Sequence, residues 1–114
     1  MVILTLSQDM TYRIEIAPSA RREIEAFVKH LRGFDTAIAE EQLARLSFEI
    51  GTYILATPRL WNYFFISGAP YHGYLFRFGQ KQHYWIVYFI NEDTDTVNIL
   101  RFWNTNKNPD TFGL

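Results

Sequence analysis

Cysteine is missing from this chain altogether. Its absence excludes a disulfide framework, a thiolate zinc site and a cysteine nucleophile, and it suits a protein kept in the cytoplasm. An excess of either charge is missing too. Lys and Arg total 11 against 12 Asp and Glu, a formal net charge of −1, so any nucleic-acid contact must be local rather than spread over many phosphates. No apolar run reaches the length of a membrane span. The opening Met-Val-Ile-Leu-Thr-Leu lacks the basic lead and small-residue cleavage site of a signal peptide. Neither repeats, low-complexity tracts nor an interdomain linker are visible. No phosphate-cradling glycine loop, His-Glu-x-x-His spacing or nucleophile elbow occurs, so no cofactor and no metal are expected. Glu92, Asp93 and Asp95 share one loop, but without the glycine and distant glutamate of a calcium hand they read as a solvated hairpin tip.

What is present is apolar and aromatic. With 48% hydrophobic and 18% aromatic residues in 114, the chain can bury one good core and not two, so residues 1–114 are expected to form a single domain. Residues 12–16, Tyr-Arg-Ile-Glu-Ile, alternate and predict a strand burying Tyr12, Ile14 and Ile16. The period then lengthens. Ser19 is placed to cap a helix carrying Ala20, Ile24, Phe27, Val28 and Leu31 on one face, and Gly33 suits a left-handed C-terminal position. Asp35 is placed to cap a second helix with a stripe of Ala39, Leu43, Leu46, Ile50, Tyr53 and Ile54, closed by Thr57 and Pro58. The very short connection favours an antiparallel helical hairpin.

Beyond Pro58, β-branched and aromatic residues dominate, and Ser67-Gly-Ala-Pro70 is the strongest turn signal before Phe78. Strands are predicted near 71–78, 84–90 and 97–103, joined by short polar connectors that favour antiparallel hairpins. The order strand, helix, helix, meander predicts an α+β fold: an antiparallel sheet with the helical hairpin on one face.

That order and the words that fill it resemble the RelE/ParE superfamily, the toxins of bacterial type II toxin-antitoxin systems, over nearly the whole chain. Tyr12-Arg-Ile-Glu-Ile-Ala-Pro-Ser-Ala20 resembles the family's opening, Tyr84-Trp-Ile-Val-Tyr88 its central strand, and Val97-Asn-Ile-Leu-Arg-Phe-Trp-Asn104 its last strand, commonly written with histidine where Asn104 stands. Asn108-Pro109 resembles the tail that follows. Such proteins commonly begin Met-Thr-Tyr-Arg, as at Met10, so residues 1–9 read as an extension or a start-site choice. The resemblance implies a cytoplasmic, plasmid-stabilising growth inhibitor neutralised by a cognate antitoxin protein. Its target would be DNA gyrase, as for ParE-like members, or ribosome-bound messenger RNA, as for RelE-like endonucleases. A nontoxic interaction domain on the same scaffold is the third reading, since a fold does not license an activity.

Cleavage through an RNA 2′-hydroxyl needs a base, an acid and cations converging on one face. The resemblance implies cations on the middle strands and after the last one, and few are retained: Arg77 matches one, Trp85 stands where an arginine is common, and Lys107 follows the last strand. Phe112 falls near the place of a catalytic tyrosine or histidine, and a phenyl ring moves no proton. His72 and His83 flank the first hairpin of the meander, and either could titrate near neutrality. Arg77, His83 and Lys107 are therefore the catalytic candidates if the chain is a nuclease. His30, near the end of the first helix, reads as a partner of the helix dipole.

Arg101 alternates with Leu100 and Phe102 and matches the arginine of ParE-like last strands. It is read either as a target or antitoxin contact, or as an ion pair with a carboxylate such as Glu15. Trp103 and Asn104 beside it, with Tyr71 and His72, complete the expected target- or antitoxin-binding set, although an asparagine after a strand is commonly a turn residue. The rings of residues 63–89 outnumber what one helical hairpin can cover, so some face outward. With no basic field, burial beneath an antitoxin segment is favoured over stacking on RNA. Few cations, Trp85 and Phe112 tilt the reading towards the gyrase-inhibiting branch.

Overall fold

The computed structural model describes residues 12–80, 82–107 and 111–114. The opening segment and the Asn108-Pro109 word lie outside them. The chain runs β1 (Arg13–Ile16), α1 (Pro18–Arg32), α2 (Thr36–Glu49), a π-helical turn (Ile50–Ile54), β2 (Asn62–Ile66), β3 (Ala69–Phe78), β4 (Gln82–Asn91) and β5 (Thr96–Asn104). The α+β class and the helical pair agree with the expectation, but the sheet is mixed. Its five strands lie in the order β1-β5-β4-β3-β2, with β1 parallel to β5 and every other pair antiparallel. Each hairpin of the meander reverses the chain, and the last reversal leaves β5 running in the direction of β1.

Local chemistry accounts for the element ends. Pro18 rather than a Ser19 cap opens α1, with Ala17 as the N-cap and no side-chain capping bond. Proline suits that first position because its φ is already helical and its missing N–H would have no partner there. Gly33 is not left-handed (φ −64°, ψ −23°). The chain instead continues in a tight turn, with Phe34 and Asp35 N–H each donating to Leu31 O at 2.9 Å. Asp35 caps α2 as expected, its carboxylate accepting from Ala37 N at 2.8 Å and Ile38 N at 3.3 Å. Basic Lys29, His30 and Arg32 occupy the last turn of α1, where the dipole favours them.

The helices cover one sheet face. Phe27 of α1 meets Phe76, Phe78, Tyr84 and Phe102 with ring centroids 5.0–6.2 Å apart. Ala39, Leu46, Ile50 and Ile54 join Ile86, Tyr88, Val97 and Ile99 in the same core. Each such large side chain contributes about 2 kcal/mol by leaving water. Tyr12 and Ile16 pack against this core, but Ile14 stays 38% exposed, because β1 lies at the sheet margin.

Two departures decide which side chains reach the other face. The unpredicted strand β2 pairs with β3 through a two-residue loop at Ser67 and Gly68, both at positive φ (50° and 81°). Val87 lies opposite Arg101 but Tyr88 opposite Ile99, so Leu100 is an extra residue in β5. Such a bulge switches side-chain parity. Val97 and Ile99 face the helices before it and Phe102 after it, and Arg101 and Trp103 go to the opposite face. There Ile66, Val87 and Phe112 form a second buried cluster, flanked by Phe64, Tyr71, Trp85 and Trp103. No helix in the described residues is long and apolar enough to cross a membrane.

Candidate functional site

Arg101 departs furthest from its expected surroundings. β1 ends at Ile16, opposite Ile99, so the rest of β5 has an open margin, and Glu23 of α1 reaches around it. Its carboxylate accepts from Arg101 Nε at 3.0 Å, Arg101 Nη2 at 2.5 Å and the Phe102 backbone N–H at 2.9 Å. Arg101 Nη1 donates to Phe112 O at 3.0 Å, and the guanidinium carbon lies 4.6 Å from the Trp103 ring centroid. Hydrogen bonding to Glu23, offset in part by burial, holds the guanidinium more firmly charged than usual. Of the two readings of Arg101 the ion pair is present, with Glu23 rather than Glu15 as the carboxylate.

Phe112 is 1% exposed, takes φ +49°, and lies edge-on to Phe64 (5.0 Å) and Trp103 (6.4 Å). The position that resemblance assigned to a proton carrier is an apolar plug over the second sheet face. Of the surplus rings, Phe64 packs directly on this plug, and Trp85 and Tyr71 are partly buried in the same cluster, whereas Tyr63 and Phe65 stay exposed.

Of the three nuclease candidates, the structure brings two together. Arg77 and His83 are direct cross-strand partners, and Lys107 Nζ stands 5.2 Å from the Trp103 ring, itself paired with Trp85. His83 Nδ1 and Trp103 Nε1 are buried with no described hydrogen-bond partner. His72 belongs elsewhere, opposite Tyr88 near the other end of β3. It stacks on Tyr88 (5.6 Å, 18°) and meets the edge of Tyr63, on the helix-covered face. Burial, then the charge of Arg59, lowers its pKa. The two histidines therefore share no site. Asn104 acts as a turn residue, its Oδ1 accepting from Asn106 N at 2.8 Å. Tyr71 is half-buried beside Phe89 in the second face. His30 is exposed, edge-on to Phe34.

A groove of about 330 Å³ opens where β2 stops short of the end of β3, lined by Tyr53, Trp61, Tyr74, Leu75, Arg77 and Trp85 among others. The π turn builds its helical wall. Leu55 N–H reaches back to Ile50 O (2.9 Å), and Tyr53 O accepts both Thr57 Oγ1 (2.8 Å) and Trp61 Nε1 (2.9 Å). Tyr53 and Trp61 then enclose Tyr74, whose hydroxyl donates to Glu49 at 2.6 Å and whose pKa burial raises. π turns recur at functional sites, but neither this one nor Glu23 leaves a mark in the periodicity.

Chemically, the described residues offer two neighbouring groups, Arg77 and His83, that could bind or polarise an anion, and a groove suited to apolar side chains. No group of three or more His, Asp or Glu side chains is gathered for a metal among them. Comparison with protein-family models, curated proteins and solved structures finds no match for this chain.

Proposed function

We propose that the chain is a cytoplasmic growth inhibitor of the RelE/ParE kind, neutralised by a cognate antitoxin protein and acting by binding its target, DNA gyrase, rather than by cutting RNA. One observation carries the preference for binding over cleavage. Phe112, near the place the resemblance gives to a catalytic tyrosine or histidine, is a buried phenyl ring. RNA cleavage needs cations that meet a developing phosphorane charge and a proton carrier beside them; here a phenyl ring, which moves no proton, holds the carrier's place. The formal net charge of −1 favours the same side. The order of strand, two helices and meander supports the family reading.

A second reading, ribosome-dependent messenger RNA endonuclease, draws on a different observation: Arg77 faces His83 across β3 and β4. Induced expression with and without the product of the adjacent small reading frame tests the toxin reading, which predicts arrest only without the partner. Growth indifferent to the partner rejects it in favour of a nontoxic interaction domain. In arrested cells, DNA-damage signalling with intact messages supports the gyrase branch, and early loss of messages with intact DNA supports the nuclease.

A further inference from the structure

The end of β3 is an unfinished sheet margin. β2 stops at Asn62, opposite Gly73, so residues 74–78 have no strand beside them on that side among the described residues. Two bonds fix the direction of the main-chain groups. Thr105 N–H donates to His83 O at 3.0 Å, which turns His83 towards β5, and Arg45 of α2 donates to Arg77 O from the outer side of β3. In an antiparallel ladder the outward residues alternate, so Leu75 presents both N–H and C=O to the groove and Arg77 its N–H. Unpaired strand groups of this kind are a template for another strand.

We propose that this margin receives an extended segment of a protein partner, added beside β3 in line with β2, with a carboxylate of that segment set on Arg77. Three features select the occupant. The main-chain groups recur at strand spacing, which a helix or a nucleic acid cannot match. The groove has an apolar wall on each side of the sheet plane, Tyr53 and Trp61 on one and Trp85 on the other, so alternate side chains of an incoming strand find separate apolar surfaces. Its charge is positive: Glu49 is taken up by Tyr74 and Arg45, whereas exposed Arg77 has no carboxylate within ion-pair distance among the described residues. The inference concerns any partner that docks here and does not depend on the toxin reading.

The test uses the full chain and a phage-displayed library of random dodecapeptides. Enriched sequences are expected to alternate apolar residues around an acidic one. A synthetic peptide of the enriched sequence should shift the amide resonances of Leu75 and Arg77. Methylating its backbone nitrogens on the sheet-facing side should weaken binding about tenfold or more, since each main-chain hydrogen bond lost also strands its partner group. Arg77→Glu should weaken the acidic peptide about tenfold and favour the same peptide with lysine in the acidic place. Absence of enrichment, binding indifferent to methylation, shifts confined to another face, or displacement of the peptide by a short single-stranded RNA that itself binds more tightly, overturns the proposal.

Discussion

Removing the Glu23 carboxylate measures how much of this fold depends on one side chain taking the place of a strand. In Glu23→Ala the Arg101 guanidinium loses both its carboxylate bonds and the Phe102 N–H loses its acceptor. A hydrogen bond to a charged group contributes about 1.5–3 kcal/mol net. Breaking a fully buried pair costs about 3–5 kcal/mol. Here the two side chains are 18% and 20% exposed, so water compensates part of the loss and we expect about 2–3 kcal/mol. At about 4 °C per kcal/mol for a domain of this size, Tm should fall by about 10 °C. Glu23→Gln keeps an acceptor for Phe102 N–H and should lose about half as much. Urea unfolding of the three proteins at neutral pH, with the m-value as a check on two-state behaviour, reads these differences directly. A Glu23→Ala change within about 0.5 kcal/mol of wild type refutes the reasoning. Arg101→Ala is expected to lose stability through the same pair.

Three further outcomes follow from the packing. Phe112→Ala should cost about 3 kcal/mol and shift tryptophan emission to the red as Trp85 and Trp103 meet water; unchanged emission and stability would mean the tail does not seal the second face. Gly73→Ala should cost about 1–3 kcal/mol, because an added Cβ would lie 2.7 Å from Phe64 Cε2 and 3.2 Å from Trp85 Cε3; a neutral result in thermal unfolding would place those rings elsewhere. Burial and Arg59 hold the His72 pKa below its ordinary value, so as pH falls the unfolded chain takes up the proton first. The stability owed to neutral His72 is then complete above about pH 6.5 and declines as pH falls towards the lower folded value. His72→Gln should flatten that slope, and parallel pH profiles for the two proteins would reject the assignment.

What could be read from the residues was local. The buried face of α1, Ala39 and Leu46 of α2, and the Asp35 cap each rest on contacts within a few residues, and the structure places them accordingly; the expected stripe instead passes into the π turn at Ile50 and leaves Tyr53 exposed, and of the turn cluster 67–70 only Ser67 and Gly68 turn, with Ala69 and Pro70 already in β3. The missed features join distant segments or break a period. β2 was hidden because Asn-Tyr-Phe-Phe-Ile does not alternate: it is a marginal strand with Tyr63 and Phe65 both exposed. The parallel pairing of β1 with β5 is set by the whole path of the meander, which no single segment encodes. Leu100 inverts the parity of β5 after Ile99 by insertion rather than by composition. The candidate site was legible in part. Arg77 and His83 emerged as partners, whereas the role of Arg101 depended on Glu23, which lies 78 residues away.

The central place of β5 also governs when the molecule can exist during synthesis. β5 lies between β1 and β4, and its Val97, Ile99 and Phe102 lie in the core that α1 covers. While the ribosome is still making the meander, β1 has no neighbour and the helical hairpin has no finished sheet to cover. Contacts between segments so far apart also close slowly. The nascent chain therefore carries its apolar faces bare until its last strand emerges, a state suited to chaperone capture. Whatever the folded molecule does, it cannot do before β5 has left the ribosome.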